Sequence, residues 1–421
     1  MSLPHSHARA ELVASWKLLL QMAFRNVLRQ RSRATVALIA ISVGVAAMVV
    51  AGGFIHDVYI QFAESLIHSQ YGHLQVHRNG YALRGIQRPT DYLIDDAGTV
   101  VQQIEHTGGI DIVLSRLRFT GLATVGGADV PIIGEGVEPD AENHLGSFVR
   151  LVSGRLLRNT DRTAVIIGEG LASALRVQSG DRMSVSVSVR EGAVNNLEFD
   201  VVGVFKSYSK DFDQRAVRLP LSAAQELLDA RAVNEIVVVL RDSADVAASE
   251  FELRRMFAPH GFEIGTWRDL ADFYNKTVEL FDKQYGFLQG VLLMMIALSV
   301  ANAINTMLFE RMPEFGTMLA LGDRRQRVFL SVIAECAILG IIGSGIGVFV
   351  GIAVASVLSI IGLPMPPPPN TDLGYVAQIR IVPAVIVHAF LIGVVSAVIA
   401  GIFPSLRIAR TAPVEALRRA V

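Results

Sequence analysis

Four runs of apolar residues, each long enough to cross a lipid bilayer, constrain the fold of this 421-residue chain more than any other feature. An α-helix rises about 1.5 Å per residue, so about 20 apolar residues span the hydrocarbon core of a bilayer. The runs predict transmembrane helices at residues 34–55, 285–309, 328–361 and 381–403. The first run is longer than the apolar region of a cleaved signal peptide, which predicts a retained helix. Because 18% of the residues are charged, the chain also needs a water-exposed part.

Residues 56–284 supply that part, because charges return there and the apolar runs become short and β-branched. The alternation Met-Ser-Val-Ser-Val-Ser-Val at residues 183–189 is typical of a half-buried strand. The predicted fold class is an α-helical membrane protein with four transmembrane helices plus a large α+β extracytoplasmic domain inserted between helices 1 and 2. Within that domain we expect a membrane-proximal lobe at about 57–120 and 210–283 and an inserted lobe at about 121–209.

The basic residues indicate which side of the membrane each segment faces. They concentrate in residues 1–33, 310–327 and 404–421, whereas the Pro-rich loop at 362–380 carries only Arg380. Since positive charges favour the cytoplasmic side, both termini are predicted to be cytoplasmic, and the α+β domain and the Pro-rich loop extracytoplasmic. Apolar residues at helical spacing predict an amphipathic helix in 1–33, which lies in the membrane surface or, alternatively, packs on a partner protein.

No motif for catalysis, cofactor binding or metal binding stands out. The sequence contains no Gly-Lys pair and therefore no phosphate-binding loop of the Walker type, and Cys336 is its one cysteine. His68, His73 and His77 lie close in sequence, but the last two would be roughly 13 Å apart along a strand, too far for one metal ion. Six carboxylates of the α+β domain are interpreted as surface charge: Glu135, Glu138, Asp140, Glu142, Glu169 and Asp181.

The short charged segment at residues 310–327 lies between the second and third apolar runs. A helix is predicted from Pro313 to Leu321, because proline fits the first turn of a helix. One face of it would form an apolar ridge that a groove on a partner protein could bind. The ridge consists of Met312, Phe315, Leu319 and Leu321. Taken by itself, the same segment is better interpreted as a solvated cytoplasmic loop rich in positive charge.

Several motifs make the chain resemble a known family. The most specific is Glu-Arg-Met-Pro-Glu-Phe-Gly-Thr-Met-Leu-Ala-Leu-Gly at residues 310–322, and residues 168–181, 201–205 and 403–418 carry others. By these motifs, and by its layout of one span, a large domain and three further spans, the chain resembles the FtsX-like permeases. These are the membrane subunits of MacB-type and lipoprotein-releasing LolC/LolE-type ABC transporters. The matching residues of the tail are Pro404, Arg407, Ala409, Pro413, Ala416 and Leu417.

The resemblance implies a non-catalytic permease subunit that binds no cofactor itself. Its expected partner is an ABC ATPase in two copies, on a separate polypeptide that holds ATP and Mg²⁺, because only 33 residues precede the first apolar run. ATP hydrolysis would move the extracytoplasmic domain, a process called mechanotransmission, to extract or export a lipoprotein, a lipid or another amphiphile. The alternative is an FtsX-type transmembrane signalling scaffold that activates a periplasmic cell-wall hydrolase.

The resemblance also implies a location and further partners. The chain is expected in the inner (cytoplasmic) membrane of a cell of Gram-negative type, with its α+β domain in the periplasm. It would pair with a second permease copy, identical or different, contact membrane lipids and meet a periplasmic lipoprotein or other periplasmic partner. No nucleic-acid partner is expected.

The resemblance makes the segment at 310–327 a predicted coupling helix, with Phe315 and Leu319 as its anchors on the ATPase. On this hypothesis, Phe315→Asp leaves the protein in the membrane but abolishes copurification of the ATPase. The residues assigned to ATPase coupling are Glu310, Arg311, Glu314, Phe315, Gly316, Leu319, Ala320, Leu321 and Gly322.

The third apolar run, at residues 328–361, has two features that are expected to lie inside the membrane. Glu335 is an ionisable residue at a costly depth, so we expect a structural partner, Asn302 or Asn305 of the second run; the alternative is a proton-coupled step. A repeat of small residues every fourth position predicts tight helix packing, within one subunit or across a dimer. The repeat consists of Gly343, Gly347 and Gly351.

Overall fold

The computed structural model describes residues 31–85, 88–145, 149–189, 192–207, 209–365 and 375–409. The predicted amphipathic helix at 1–33 therefore lies outside the described residues up to residue 30, as do the centre of the Pro-rich loop and the tail beyond residue 409. The helices are α1 (Arg31–Leu66), α2 (Tyr81–Arg84), α3 (Ala97–Glu105), α4 (Pro139–Leu145), α5 (Glu169–Leu175), α6 (Lys210–Asp213), α7 (Leu221–Leu228), α8 (Val246–Phe257), α9 (Trp267–Leu270), α10 (Asp272–Glu310), α11 (Met312–Ala320), α12 (Arg325–Ile361) and α13 (Pro383–Ala409).

The strands alternate with the shorter helices. A π-helical turn, Ile67–Tyr71, follows α1 directly. The strands are β1 (Leu74–Arg78), β2 (Ile110–Val125), β3 (Ala128–Val137), β4 (Arg150–Gly154), β5 (Ala164–Gly168), β6 (Arg182–Ser188), β7 (Val194–Lys206), β8 (Ala216–Pro220), β9 (Glu235–Leu240), β10 (Phe262–Thr266), β11 (Leu363–Met365) and β12 (Tyr375–Ala377).

Two compact units divide these elements. Among the described residues, the membrane unit consists of 31–59, 278–363 and 376–409, and the α+β unit consists mainly of 60–277. In the described part of the chain, four helices are long and apolar enough to cross a membrane, namely α1, α10, α12 and α13. The strands β1 to β10 all lie between α1 and α10 in sequence.

Two of the four long helices extend well beyond the predicted spans. The first apolar run ends near residue 55, but α1 continues to Leu66; the second begins at residue 285, but α10 already begins at Asp272. An apolar run marks only the part of a helix that a bilayer covers, whereas the backbone hydrogen bonds of the helix continue through charged sequence. The stretch at 272–284, which was assigned to the α+β domain, is therefore the first part of the second long helix.

The membrane unit buries a core to which all four long helices contribute. Its fully buried side chains include Ile41 of α1, Val300 of α10, Val332 of α12 and Ala397 of α13. Hydrogen bonds add to the packing, because the hydroxyl of Ser42 donates to the carbonyl of Gly343 at 2.9 Å and the hydroxyl of Tyr285 donates to the carbonyl of Met48 at 2.9 Å. The first helix is thus fixed to both α10 and α12.

The α+β unit is built on one ten-stranded sheet. Along the sheet the strands follow the order β10-β1-β9-β2-β3-β8-β5-β7-β4, and β6 pairs with β2 and β7. Most pairs are antiparallel, while β3 with β8 and β5 with β7 are parallel. The predicted lobe boundary at residue 120 falls in the middle of β2, which pairs with β9 through its first half and with β3 and β6 further on. One continuous sheet therefore joins the two predicted lobes.

Candidate functional site: the coupling segment and its supporting contacts

The predicted coupling helix is α11, which is separated from α10 by a single residue, Arg311. Pro313 stands in its first turn, where the missing N–H of proline costs no helical hydrogen bond. The chain leaves the helix through Gly322, whose φ of +99° lies in the region that glycine adopts without strain. The observed bounds, Met312 to Ala320, differ by one residue from those predicted.

The apolar side of α11 faces this chain's own helices. Met312 and Phe315 are buried, and they belong to the same core as the four long helices; Leu319 packs against that core from its edge. Phe315 is therefore covered by the chain's own core and is not exposed to a partner, whereas the anchoring role of the half-buried Leu319 stays a prediction. Amphipathic spacing identifies an apolar face, but it does not tell whether that face is buried within the chain or against another protein.

The opposite side of α11 is exposed. Leu321, just after the helix, is 89% exposed, which is high for a large apolar side chain. Together with it, the exposed residues assigned to coupling form what we call the outer face of α11: Glu310, Glu314, Ala320, Leu321 and Gly322, with Thr317 between them. Gly316 is buried. If the segment contacts a partner, this outer face is the surface available to it.

Arg311 joins α11 to the third long helix. Its Nη1 donates to both carboxylate oxygens of Glu335, at 2.9 and 3.1 Å, and its Nε donates to Glu314 at 2.9 Å. Its guanidinium group also lies over the ring of Phe315, 5.1 Å from the ring centre. Arg311 is thus a charged partner of Glu335 that sequence reasoning did not identify, while a contact with Asn302 or Asn305 stays a prediction. A salt bridge of this kind satisfies a buried carboxylate more fully than an amide does.

The predicted glycine repeat of α12 packs against α1 of the same chain. A side-chain carbon at Gly347 would lie 2.7 Å from the carbonyl oxygen of Ser42, and one at Gly343 would lie 2.9 Å from the side chain of Ile41. At Gly351, the corresponding carbon would lie 2.9 Å from Val49. The absence of side chains at these three positions therefore lets the two backbones approach closely.

His73 and His77 of the α+β unit take part in structural hydrogen bonds. Nδ1 of His73 accepts from the amide of Leu240 at 3.1 Å, so the neutral ring carries its proton on Nε2, which lies 2.9 Å from the hydroxyl of Ser243. With its proton placed there, His73 cannot act as the base that would activate Ser243. In the described part of the chain, no group of three or more His, Cys, Asp or Glu side chains is arranged to hold a metal ion.

Sequence reasoning missed a buried cluster of charge in the α+β unit. Glu135 and Glu142, interpreted as surface charge, are buried and take part in it. We call the cluster the charged ring; its members are Arg116, Arg118, Glu135, Glu142, Arg218 and Glu235. A sequence signal exists, because five of these six residues belong to largely apolar strands, as in Ala-Val-Arg-Leu-Pro of β8.

The six side chains form a closed circuit in which arginine and glutamate alternate. The nitrogen–oxygen distances around it are 2.8 Å for Glu142–Arg116, 3.4 Å for Arg116–Glu235, 3.7 Å for Glu235–Arg118, 2.8 Å for Arg118–Glu135, 2.9 Å for Glu135–Arg218 and 3.2 Å for Arg218–Glu142. Burial alone would raise the pKa of Glu135, but the surrounding guanidinium groups outweigh it and hold that pKa well below its usual range. Glu135 is therefore ionised at neutral pH.

Comparison with known protein families gives two matches, one for each part of the chain. Residues 34–256 match the family described as the MacB-like periplasmic core domain. Residues 286–413 match the family described as the FtsX-like permease C-terminal region. The first match covers more than half of the 421 residues and includes the sheet as far as β9.

Several proteins similar to this chain are named as ABC transporter permeases or as export proteins. An uncharacterized ABC transporter permease of Methanocaldococcus jannaschii is 22% identical over 95% of this chain and 97% of its own length. The macrolide export ATP-binding/permease protein MacB of Bdellovibrio bacteriovorus is 23% identical over 97% of this chain, which spans 64% of that protein. The pyoverdine export ATP-binding/permease protein PvdT of Pseudomonas putida is 27% identical over 53% of this chain and 34% of its own length.

Two solved structures resemble part of the chain. The periplasmic region of MacB from Actinobacillus actinomycetemcomitans covers 51% of this chain and 95% of its own, with 15% identity and a TM-score of 0.36. The extracellular domain of the transporter YknZ from Gram-positive bacteria covers 46% of this chain and 99% of its own, with 12% identity and a TM-score of 0.35.

Proposed function

Because the chain belongs to the FtsX-like, MacB-type family of ABC transporter permeases, we propose that it couples ATP hydrolysis on a separate ATPase subunit to movement of its α+β domain. The observation that carries the proposal is the construction of α11. Its outer face is exposed, while its inner face and Arg311 are fixed to the long helices. A push on the outer face would therefore be passed to the helices rather than absorbed by a loop.

The remaining parts of the proposal follow from the family and the charge distribution. The basic segment at 310–327 lies in the cytoplasm, where two ATPase subunits bind a dimer of permeases. The α+β domain lies in the periplasm of an inner membrane. The substrate is a lipoprotein, a lipid or another amphiphile that the moving domain extracts or exports. Mechanotransmission of this kind needs no catalytic residue, cofactor or metal in the permease itself.

Exchange of Leu321 for aspartate tests the outer face of α11. Leu321→Asp is expected to remain in the membrane but to lose the ATPase on copurification, because a charge replaces the large exposed apolar side chain of the outer face. Leu83→Asp is the matched control, since Leu83 is 88% exposed but lies in the α+β unit. Retention of the ATPase by Leu321→Asp, in amounts equal to the control, would refute the assignment of this surface.

The same reasoning changes the expected result for Phe315→Asp. This side chain is 3% exposed within the chain's own core, so the aspartate would destabilise the membrane unit itself. Loss of the ATPase in this variant would therefore not distinguish a lost contact from a damaged fold.

The transport step is tested in vesicles. The wild-type complex in proteoliposomes is expected to release a fluorescent triacylated lipopeptide when ATP is supplied, and the Leu321→Asp chain is not. Copurification of a cell-wall hydrolase, combined with no ATP-dependent movement of the lipopeptide, would instead favour the FtsX-type signalling scaffold.

A further inference from the structure

The charged ring binds the end of the first helix. Arg218 donates through Nη2 to the carbonyl of Ser69 at 3.0 Å, and Arg116 donates through Nη1 to the carbonyl of Gln70 in a short contact. Both carbonyls belong to the π-helical turn Ile67–Tyr71 that continues α1. The last carbonyls of a helix have no partner within the helix and carry its negative dipole end, so two buried guanidinium groups suit them.

The ring also connects four neighbouring strands of the sheet. Arg116 of β2 stands opposite Glu235 of β9, and Arg118 of β2 stands opposite Glu135 of β3. Glu135 in turn stands opposite Arg218 of β8. The side chains that hold the helix end are thus paired, strand by strand, across β9, β2, β3 and β8. A displacement of the helix end acts on all four strands at once.

Stability alone does not explain so many buried charges. Five of the six side chains are no more than 7% exposed, and well-packed apolar residues commonly stabilise a protein as well as or better than a buried ionic cluster does. An apolar contact, however, lets packed surfaces slide, whereas the planar fork of arginine fixes both distance and direction. A cluster of this kind is therefore suited to hold a helix end at one position on the sheet.

We propose that the charged ring is the joint through which movement of the first helix is passed to the sheet of the α+β domain, with Arg116 and Arg218 as its positioning residues. The source of that movement rests on the function proposed above; the fixation of the helix end does not. Glu142 has a central place in the joint, because it accepts two bonds from Arg116 and also pairs with Arg218.

Hydrogen exchange of the full-length chain in nanodiscs tests the joint without any partner. Arg116→Lys and Arg218→Lys keep the charge but lose the fork that reaches the helix carbonyls. In each variant, the amides of residues 67–72 are expected to exchange at least about tenfold faster than in the wild type, while the amides of β2 and β9 stay protected. Arg155→Lys is the matched control, since Arg155 makes a similar forked pair with Asp161, at 2.7 and 2.9 Å, away from the helix.

Glu142→Gln provides a second variant, in case a lysine in the ring prevents folding. Glutamine has the same shape as glutamate and keeps one acceptor oxygen, and this position touches neither helix carbonyl. The substitution weakens the ion pairs with both positioning arginines, Arg116 and Arg218. It is expected to increase exchange in residues 67–72 in the same selective way. Unchanged exchange there in all folded variants would overturn the proposal. A loss of protection spread evenly over the sheet, even in Glu142→Gln, would also overturn it, because the ring would then be only a structural core.

A second measurement addresses the transmitted movement. With the ATPase bound, the joint variants are expected to hydrolyse ATP but to lose ATP-dependent release of the lipopeptide, whereas Arg155→Lys keeps both. Normal release by variants whose helix end exchanges freely would overturn the role in transmission. If the wild type itself releases no lipopeptide, the proposed transport function fails, and the exchange experiment still decides whether the ring holds the helix.

Discussion

Removal of Arg311 is expected to destabilise the membrane unit by several kilocalories per mole. Arg311→Met deletes both hydrogen bonds to Glu335, whose side chain is 1% exposed, and the single bond to Glu314, whose side chain is 52% exposed. Loss of one partner from a buried ion pair costs about 3–5 kcal/mol, whereas an exposed pair contributes less than about 1 kcal/mol. The bonds to Glu335 therefore dominate the expected loss.

A double-mutant cycle measures that contribution directly. The single variants Arg311→Met and Glu335→Gln and the double variant would be unfolded in mixed micelles, and the free energy of unfolding would be compared with that of the wild type. The double variant is expected to be less destabilised than the sum of the two single ones, with a coupling energy of about 2 kcal/mol or more.

Arg327→Met serves as the control for this cycle. Arg327 pairs with Asp323 at 2.7 Å, but its side chain is 61% exposed, so its loss is expected to cost less than about 1 kcal/mol. Equal losses for Arg311→Met and Arg327→Met, or a coupling energy below about 0.5 kcal/mol, would refute the reasoning that Arg311 fixes α11 to the long helices.

Two further predictions concern other parts of the chain. Gly347→Val is expected to lower the unfolding temperature strongly, because the valine side chain would meet the backbone of Ser42. Gly345→Ala is expected to be tolerated, since a side-chain carbon there has no neighbour within 4 Å. Equal effects of the two substitutions would contradict the packing of α12 on α1. Calorimetry of the full-length chain is expected to give a lower unfolding temperature as the pH falls from 7 to 5. Burial lowers the pKa of His73 and of His77, so the unfolded chain takes up these protons first, near pH 6.5. Burial raises the pKa of Asp213 to about 6, which works in the opposite direction, so the decline should become steeper in Asp213→Asn; a decline that stays the same would contradict this reading.

The length and polarity of the apolar runs predicted the four long helices of the membrane unit. This worked because a bilayer requires every spanning helix to carry about 20 apolar residues. The four apolar runs correspond to α1, α10, α12 and α13, and the family resemblance is confirmed by the two family matches. Helical spacing also predicts a helix at residues 267–283, but the sequence does not show that it is continuous with the second span from Asp272 onward. The extension of the first helix through residues 56–66 was not predicted, because charged residues are compatible with a helix and no bilayer rule applies to them. Hydropathy thus predicts which residues lie within the bilayer, but it does not predict how far each helix continues outside it.

The charged ring could not have been assembled from sequence because its members come from four strands and one helix. Arg116 and Glu235 are 119 positions apart, and only the strand order of the sheet brings them to opposite positions. What the sequence did contain was a charged residue within an apolar strand, as for Arg218 in β8. A charge at such a position predicts a buried partner of opposite sign, although it does not identify that partner.

The burial of Phe315 changes where force would enter the protein. If the apolar face of α11 had bound the partner, the partner would have displaced this helix from the chain's own core. Instead, that face packs on the chain's own core, which leaves the outer face with Glu314 and Leu321 exposed for the proposed partner. A contact of this kind transmits a push through a rigid element, because Arg311 and Phe315 prevent α11 from moving independently of α12. Weakening either anchor should therefore reduce coupling even when the ATPase remains bound, whereas loss of Leu321 should remove the ATPase itself.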